Sequence, residues 1–399
     1  MRTIFTKATI VTPFRKFKGA VSVIDDHIEE TVSGEEITPQ PNDTVINAEG
    51  LYLAPGFIEL HTHGGGGHDF MDNSPEAVTG ACQTHLQHGT TAILPTTLSS
   101  SDEELFSNLG LIDEISKTKE GMPEILGIHL EGPYLSAQKK GAQDPRYIKN
   151  PNPDEYKHIF ANCPSIKIWT VAPELPGALE MGRWMRDNGI IASIGHSNAV
   201  FDDIFLAVEN GFSMLTHFYN GMSCLSRQKY KMLPGVAESG LYFNDLTAEV
   251  IADGCHIPPD LLKLICKIKG PDNICLVTDS MRAAGQDVKT SILGSLKNGQ
   301  PVVIENGAAF IPSRESYAGS IATADRLIRT VIQTAGIPVT DAVKMMTVTP
   351  ARMLHVDNRI GSIASGREAD IVLFDENINI KLVMIKGKIY WREKCYWEK

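Results

Sequence analysis

Eight short apolar runs recur through the middle of the chain, each followed by a longer stretch of mixed polarity. They begin "FIELHTH" at Phe57, "TAILPTT" at Thr91, "EILGIHLEG" at Glu124, "IKIWTVAPE" at Ile166, "IIASIGHS" at Ile190, "SMLTHFYN" at Ser213, "LTAEVIADG" at Leu246 and "ICLVTDS" at Ile274. The intervening segments 75–88, 102–116, 176–188, 199–210 and 258–268 carry apolar residues at helical spacing. Ser74 before Pro75, Ser101 before Asp102, and Ser197 or Asn198 before "AVFDDIFLAVENG" are expected caps. Buried strands alternating with helices imply a parallel sheet. Eight of them predict an α/β fold, a closed (β/α)8 TIM-like barrel over 54–355. A doubly wound open sheet is the rival, and it would gather its ligands at one switch point.

The two ends follow a different pattern. Residues 1–53 and 356–399 read as short strands and turns, neither long enough to bury a core alone. They are expected to pair into one small β-sandwich domain that brings both termini together. Asn306-Gly307, between alternating apolar positions, predicts a hairpin after the eighth strand.

Bulk properties narrow the function classes. A formal charge of −11 over 399 residues argues against nucleic acid or an anionic membrane as partner. Seven scattered cysteines without C-x-x-C predict free thiols and a reducing compartment. The opening "MRTIFTKATIVTPF" has neither an apolar h-region nor a cleavage site. The expectation is a cytoplasmic protein.

The candidate chemistry lies at the strand ends. Residues two apart in a strand share a face, so His61 and His63 point together. His129 and Glu131 end the third strand, His196 the fifth, His217 the sixth and Asp279 the eighth. The carboxyl ends of barrel strands are where such folds carry chemistry. A lone histidine there is usually a core or loop residue. Several ionisable strand ends on one rim would pay a heavy desolvation cost without a cation. The set predicts a divalent ion, Zn²⁺ first, with Fe, Mn or Co as alternatives, one or two per subunit. His129 reads as a support for ligands, and His85, His88, His27, His158 and His355 as ordinary helix or surface residues. Gly64 to Gly67 fit neither phosphate-loop pattern and are expected either to open the pocket or to form a loop without a binding role.

The ordered motifs "HTHGGGG", "GIHLEGPYLS", "KKGAQDP", "IGHSNA", "LTHFYNGMS", "IADGCHIP", "LVTDSMRAAG", "YAGSIAT" and "GSIASGREADIVLFD" span nearly the whole chain. They resemble the amidohydrolase superfamily and, within it, the N-acetylglucosamine-6-phosphate deacetylases. The resemblance implies metal-dependent hydrolysis of the acetamide of an N-acetylhexosamine 6-phosphate, gluco first and galacto as the alternative. It implies that Glu131, His196 and His217 bind one ion and that Asp279 is catalytic. Substrate contacts carry over onto Ala142, Asn220, Gly221, His256, Tyr317, Ala318 and Gly319. Gln143 stands where some members have a histidine that polarises the substrate carbonyl. His61 and His63, lost in some members, leave room for a second ion. "RQKYKMLPG" departs from the family's "R-E-P-G", with Arg227 nearest the phosphate-binding arginine. A homodimer is the family's implied assembly.

Overall fold

The computed structural model describes residues 2–34, 37–118 and 120–394. Met1, Glu35, Glu36, Lys119 and residues 395–399 lie outside them, so parts of the two expected terminal segments do as well.

The eight apolar runs are eight strands. They are β1 (Phe57–Thr62), β2 (Thr90–Thr97), β3 (Ile128–Glu131), β4 (Ile166–Val171), β5 (Ile191–Ile194), β6 (Phe212–Leu215), β7 (Thr247–Val250) and β8 (Ile274–Leu276). Every neighbouring pair from β1 to β8 is parallel. Beyond β8 the chain returns to β1, where the Asp279 amide donates to His61 O and the His63 amide to Ser280 O, both at 2.8 Å. A parallel ladder leaves its connections to cross over the outside, and a helix follows each strand. These are α1 (Pro75–Gln87), α2 (Asp102–Thr118), α3 (Pro153–Asn162), α4 (Ala178–Asp187), α5 (Phe201–Glu209), α6 (Val236–Tyr242), α7 (Pro259–Lys269) and α8 (Ala324–Gln333).

Two expected caps form: Ser74 Oγ accepts from the Ala77 amide at 3.1 Å and Ser101 Oγ from Glu104 at 3.3 Å. The third does not. Ser197 Oγ donates to Glu174 instead, and α5 begins later, with the Asp203 carboxylate accepting the Val200 amide at 2.9 Å. The main core between strands and helices includes Ile93, Leu130, Trp169, Ile194, Leu215, Val250 and Leu276 with Val78, Leu109, Met181 and Ile265 from the helices. Apolar burial at these positions supplies the driving force for closing the barrel.

Both ends of the chain build a second, eight-stranded sheet. Arg2–Val11, Lys16–Ile24, His27–Ser33, Thr44–Asn47 and Tyr52–Pro55 come from the front, and Ile371–Phe374, Ile380–Ile385 and Lys388–Arg392 from the back. Tyr52–Pro55 pairs antiparallel with Ile371–Phe374 and so joins the two. Phe5, Ile10, Val21, Leu53, Ile371, Leu373 and Leu382 pack on one another as its own apolar cluster. The Asn306-Gly307 turn has φ of 52° and 77°, the positive pair a two-residue hairpin requires, and joins Gln300–Glu305 to Ala308–Phe310. Among the described residues the cysteines are free thiols, and no helix is long and apolar enough to cross a membrane.

Candidate active site

The parity of β1 sends Glu59, His61 and His63 to one side, and all three are buried. Glu131 is the last residue of β3. His196, His217 and Asp279 stand just beyond β5, β6 and β8, with φ of 45°, 33° and 45°. L-residues avoid that left-handed region at a cost of ~1–3 kcal/mol each, and such outliers gather at functional sites. Hydrogen bonds hold these three in place: His196 Nδ1 to Lys139 O at 2.7 Å, His217 Nδ1 to Asn220 O at 3.1 Å, and the Asp279 amide to His61 O. Gly221 is required beside them, since a Cβ there would come within 2.9 Å of His196 Nδ1.

The side chains converge on Glu131. His196 Nε2 and His217 Nε2 lie 2.9 and 3.0 Å from Glu131 Oε1 and 3.1 Å from each other. His63 Nε2 lies 3.3 Å from Glu131 Oε2 and 3.1 Å from Asp279 Oδ1. His61 Nε2 is 3.5 Å from the same Asp279 oxygen and has no hydrogen-bond partner. Three groupings of ligand atoms result: Glu131–His196–His217 and His61–His63–Asp279 keep Nε2 atoms for a ligand, while His61–His129–Glu249 has both His129 nitrogens already bonded.

The first two sets fit a cation. Each imidazole spends Nδ1–H on an acceptor: Lys139 O, Asn220 O, Thr96 O at 3.3 Å for His63, and Glu249 Oε2 at 2.9 Å for His61. A neutral ring so fixed turns its Nε2 lone pair toward other acceptors, and no donor separates them. Divalent ions bound by nitrogen and carboxylate oxygen resolve that conflict. Protonation is the other way out, and the electrostatics show the strain. Burial opposes ionising Glu131, yet bonds from His196, His217 and His63 outweigh it and hold the carboxylate well below its ordinary range. Burial likewise opposes charging His217, and Glu131 overrides it, lifting the imidazole to about 9. Asp279 is pulled down against its burial by the charge of His61 and the bond to His63.

Above the sets opens a cavity of about 240 Å³, just under the ~300–1,000 Å³ range of drug-sized ligand pockets. Its lining includes Ala142, Gln143, Asn220, Gly221, His256, Tyr317 and Gly319. The His256 ring packs 4.0 Å from that of Tyr317, and its Nδ1 is held by Asp253 at 2.9 Å. Ala318 is fully buried and does not reach the cavity. Gln143 reaches it with both amide ends engaged: Nε2 donates to Glu131 Oε2 at 2.8 Å and Oε1 accepts the Ser99 amide at 2.9 Å. Arg227 lies in an exposed hairpin, Ser226–Gln228 paired with Lys231–Leu233, and does not line the cavity.

The glycine run does not open the pocket. Gly64–Gly65 pair with His68–Asp69 around Gly66 and Gly67, at φ of 63° and 93°, and the turn lies against α1, where a Cβ on Gly66 would sit 2.1 Å from Thr84 Oγ1. His129 is fully committed, Nδ1 to Leu60 O at 3.0 Å and Nε2 to Thr170 Oγ1 at 2.8 Å. His85, expected to be an ordinary helix residue, is buried behind the site, with Nε2 3.0 Å from Thr62 Oγ1. Glu249 went unnoticed in the sequence, although a glutamate inside the apolar run "TAEV" was a signal for it.

Residues 52–390 match the Amidohydrolase family profile. The chain is 34% identical to the N-acetylglucosamine-6-phosphate deacetylase of Lysinibacillus sphaericus over 86% of its own length and 87% of the relative's. It is 30% identical to the N-acetylgalactosamine-6-phosphate deacetylase of Escherichia coli O157:H7 over 92% and 95%. It superposes with a TM-score of 0.88 and 27% identity on an aspartate-to-alanine mutant of the Mycobacterium smegmatis N-acetyl-D-glucosamine-6-phosphate deacetylase in complex with N-acetyl-D-glucosamine-6-phosphate, covering 98% of this chain and 99% of that one. The barrel, its metal-ready rim and these likenesses agree: the chain belongs to the amidohydrolase family, among the N-acetylglucosamine-6-phosphate deacetylases.

Proposed function

We propose that this protein hydrolyses the acetamide of N-acetyl-D-glucosamine 6-phosphate to D-glucosamine 6-phosphate and acetate. The observation that carries this reading is the convergence of four imidazole Nε2 atoms and two carboxylates, all but His61 at the floor of one cavity. Glu131, His196 and His217 would hold one divalent ion, and His61, His63 and Asp279 a second, with Zn²⁺ first and Fe, Mn or Co as alternatives. A bound ion supplies Lewis-acid polarisation of a carbonyl and lowers the pKa of water toward ~7. Asp279 takes the proton of the attacking water and returns it to the amine nitrogen as the C–N bond breaks. Its depressed pKa keeps it ionised for the first of these transfers. Gln143 holds Glu131 with one amide N–H, and the second N–H of the same nitrogen is left to donate to substrate.

His256, Tyr317, Gly319, Ala142, Asn220 and Gly221 would cradle the sugar, with Ala318 acting only through its neighbours. Among the described residues the cavity lining contains no lysine or arginine, and a phosphate dianion favours charged donors. Arg227, with Lys229 and Lys231, lies beside exposed Leu225, Tyr230 and Met232. We assign Arg227 to the phosphate of a neighbouring copy's substrate, which makes a homodimer the working assembly. The domain division, 1–53 with 356–399 against 54–355, belongs to the same reading, as does a cytoplasmic setting.

The similar identity to the relative named N-acetylgalactosamine-6-phosphate deacetylase favours one second reading, that activity for this chain. Acetate release from the two sugar phosphates, compared as kcat/KM, decides between them. Faster turnover of the gluco substrate supports the proposal, and faster turnover of the galacto substrate replaces it.

A further inference from the structure

Three of the four converging imidazoles are oriented by main-chain carbonyls, Lys139 O, Asn220 O and Thr96 O. His61 is oriented by a side chain. Its Nδ1 lies 2.9 Å from Glu249 Oε2, and both residues are completely buried. With Glu249 Oε2 as acceptor the proton stays on Nδ1, and the Nε2 lone pair turns toward His63 and Asp279. The same oxygen accepts the His217 amide at 3.3 Å and so ties β1 to the end of β6. The other imidazole near Glu249 does not compete for it. His129 Nδ1 is 3.9 Å from Oε1 and already donates to Leu60 O. A carboxylate buried this deeply is costly unless it is paired.

We propose that Glu249 is a positioning residue for the second ion, the one assigned to His61, His63 and Asp279. The inference rests on the metal reading given above. Glu249 holds His61 in the tautomer and orientation that ligation requires, while the rings of His196 and His217 keep their own main-chain acceptors, Lys139 O and Asn220 O.

The test counts ions. Wild type, Glu249→Leu and Glu249→Gln are equilibrated with Zn²⁺, freed of unbound ion by gel filtration, and their metal content per chain is measured. Thermal unfolding in chelator reports the fold separately. Wild type should hold two ions and Glu249→Leu one, the retained ion showing that the barrel is intact. Glu249→Gln, whose carbonyl oxygen still accepts from His61, should recover the second ion with affinity ~10–100-fold weaker. Two tightly held ions in Glu249→Leu would overturn the role of Glu249 and leave the metal reading standing. One ion in wild type would overturn the role of Glu249 and leave the Glu131–His196–His217 ion standing, and none would overturn the metal reading as well. Loss of both ions from Glu249→Leu, or no recovery in Glu249→Gln, would make Glu249 a general strut and overturn the positioning role.

Discussion

The floor of the cavity and the hairpin at 226–233 supply chemistry in opposite ways. On the floor every group is buried, held by named bonds, and set by its distance from a strand end. The hairpin is nearly all exposed, and its cations reach no part of their own cavity. Reaction chemistry needs groups fixed to within a fraction of an ångström, which a rigid barrel provides. A charge that only anchors a remote phosphate can come from a mobile edge, even from another chain.

If that contrast holds, damage to the floor should abolish turnover, and damage to the hairpin should only weaken binding. Glu131→Gln or His196→Ala has the largest expected effect. Each should remove activity and one ion while leaving thermal unfolding in chelator unchanged, since the apolar core does not include them. Acetate release, metal content and a melting curve check this. Activity retained in a metal-free sample would break the comparison at once.

Asp279→Asn should come next. Loss of general acid–base transfer predicts ~10²–10⁴-fold slower turnover, with the ion at Glu131–His196–His217 still bound. Near wild-type kcat would remove Asp279 from the proton path.

Arg227→Ala should be milder and selective. Losing a charge-assisted bond of ~1.5–3 kcal/mol raises KM for the phosphorylated substrate about 10–100-fold. Turnover of unphosphorylated N-acetylglucosamine should not change, the mark of lost binding to a remote group. Mixing Arg227→Ala with an Asp279→Asn partner sharpens the point. Mixed dimers should regain low-KM activity if the arginine serves the neighbouring site.

The smallest effect contrasts two buried carboxyls. Glu131 is surrounded by imidazoles and is held ionised. Asp370, just before the terminal-sheet strand Ile371–Phe374, has none. Burial pushes it up to about 7, assisted by the charges of Glu368 and Glu124 and opposed by the Lys386 amide. A raised carboxyl favours the folded state while protonated. Its contribution is full below the unfolded value of ~3.9 and is lost as pH rises through about 7. Asp370→Asn should therefore flatten the fall in stability between those limits, as denaturant titrations across pH would show. An unchanged slope would mean that Asp370 is ionised in the fold.

The barrel was legible in the sequence because a buried parallel strand must be apolar throughout, and eight such runs left little freedom. The metal-ready residues were legible for a related reason. Polar groups ending an apolar run stand out, and H-x-H follows the strand period directly. Other features depend on contacts between distant segments. Nothing near "KKGAQDP" says that Gln143 will turn to Glu131, and nothing in "SRQKYK" says that its cations will face away from their own cavity. Glycine composition gave freedom to turn but not a direction, so Gly64–Gly67 closed on α1 instead of opening the pocket. The positive φ of His196, His217 and Asp279 is equally invisible in sequence, because only the surrounding bonds hold those residues there.

The central claim is that the buried imidazoles and carboxylates make a metal-dependent deacetylase. Its most direct test is acetate release from N-acetylglucosamine 6-phosphate by protein stripped with chelator, then reloaded with Zn²⁺, Fe²⁺, Mn²⁺ or Co²⁺. Activity should vanish on stripping and return with at least one of these ions in proportion to the metal bound. Undiminished release by the stripped protein, or none by any reloaded sample, would contradict it.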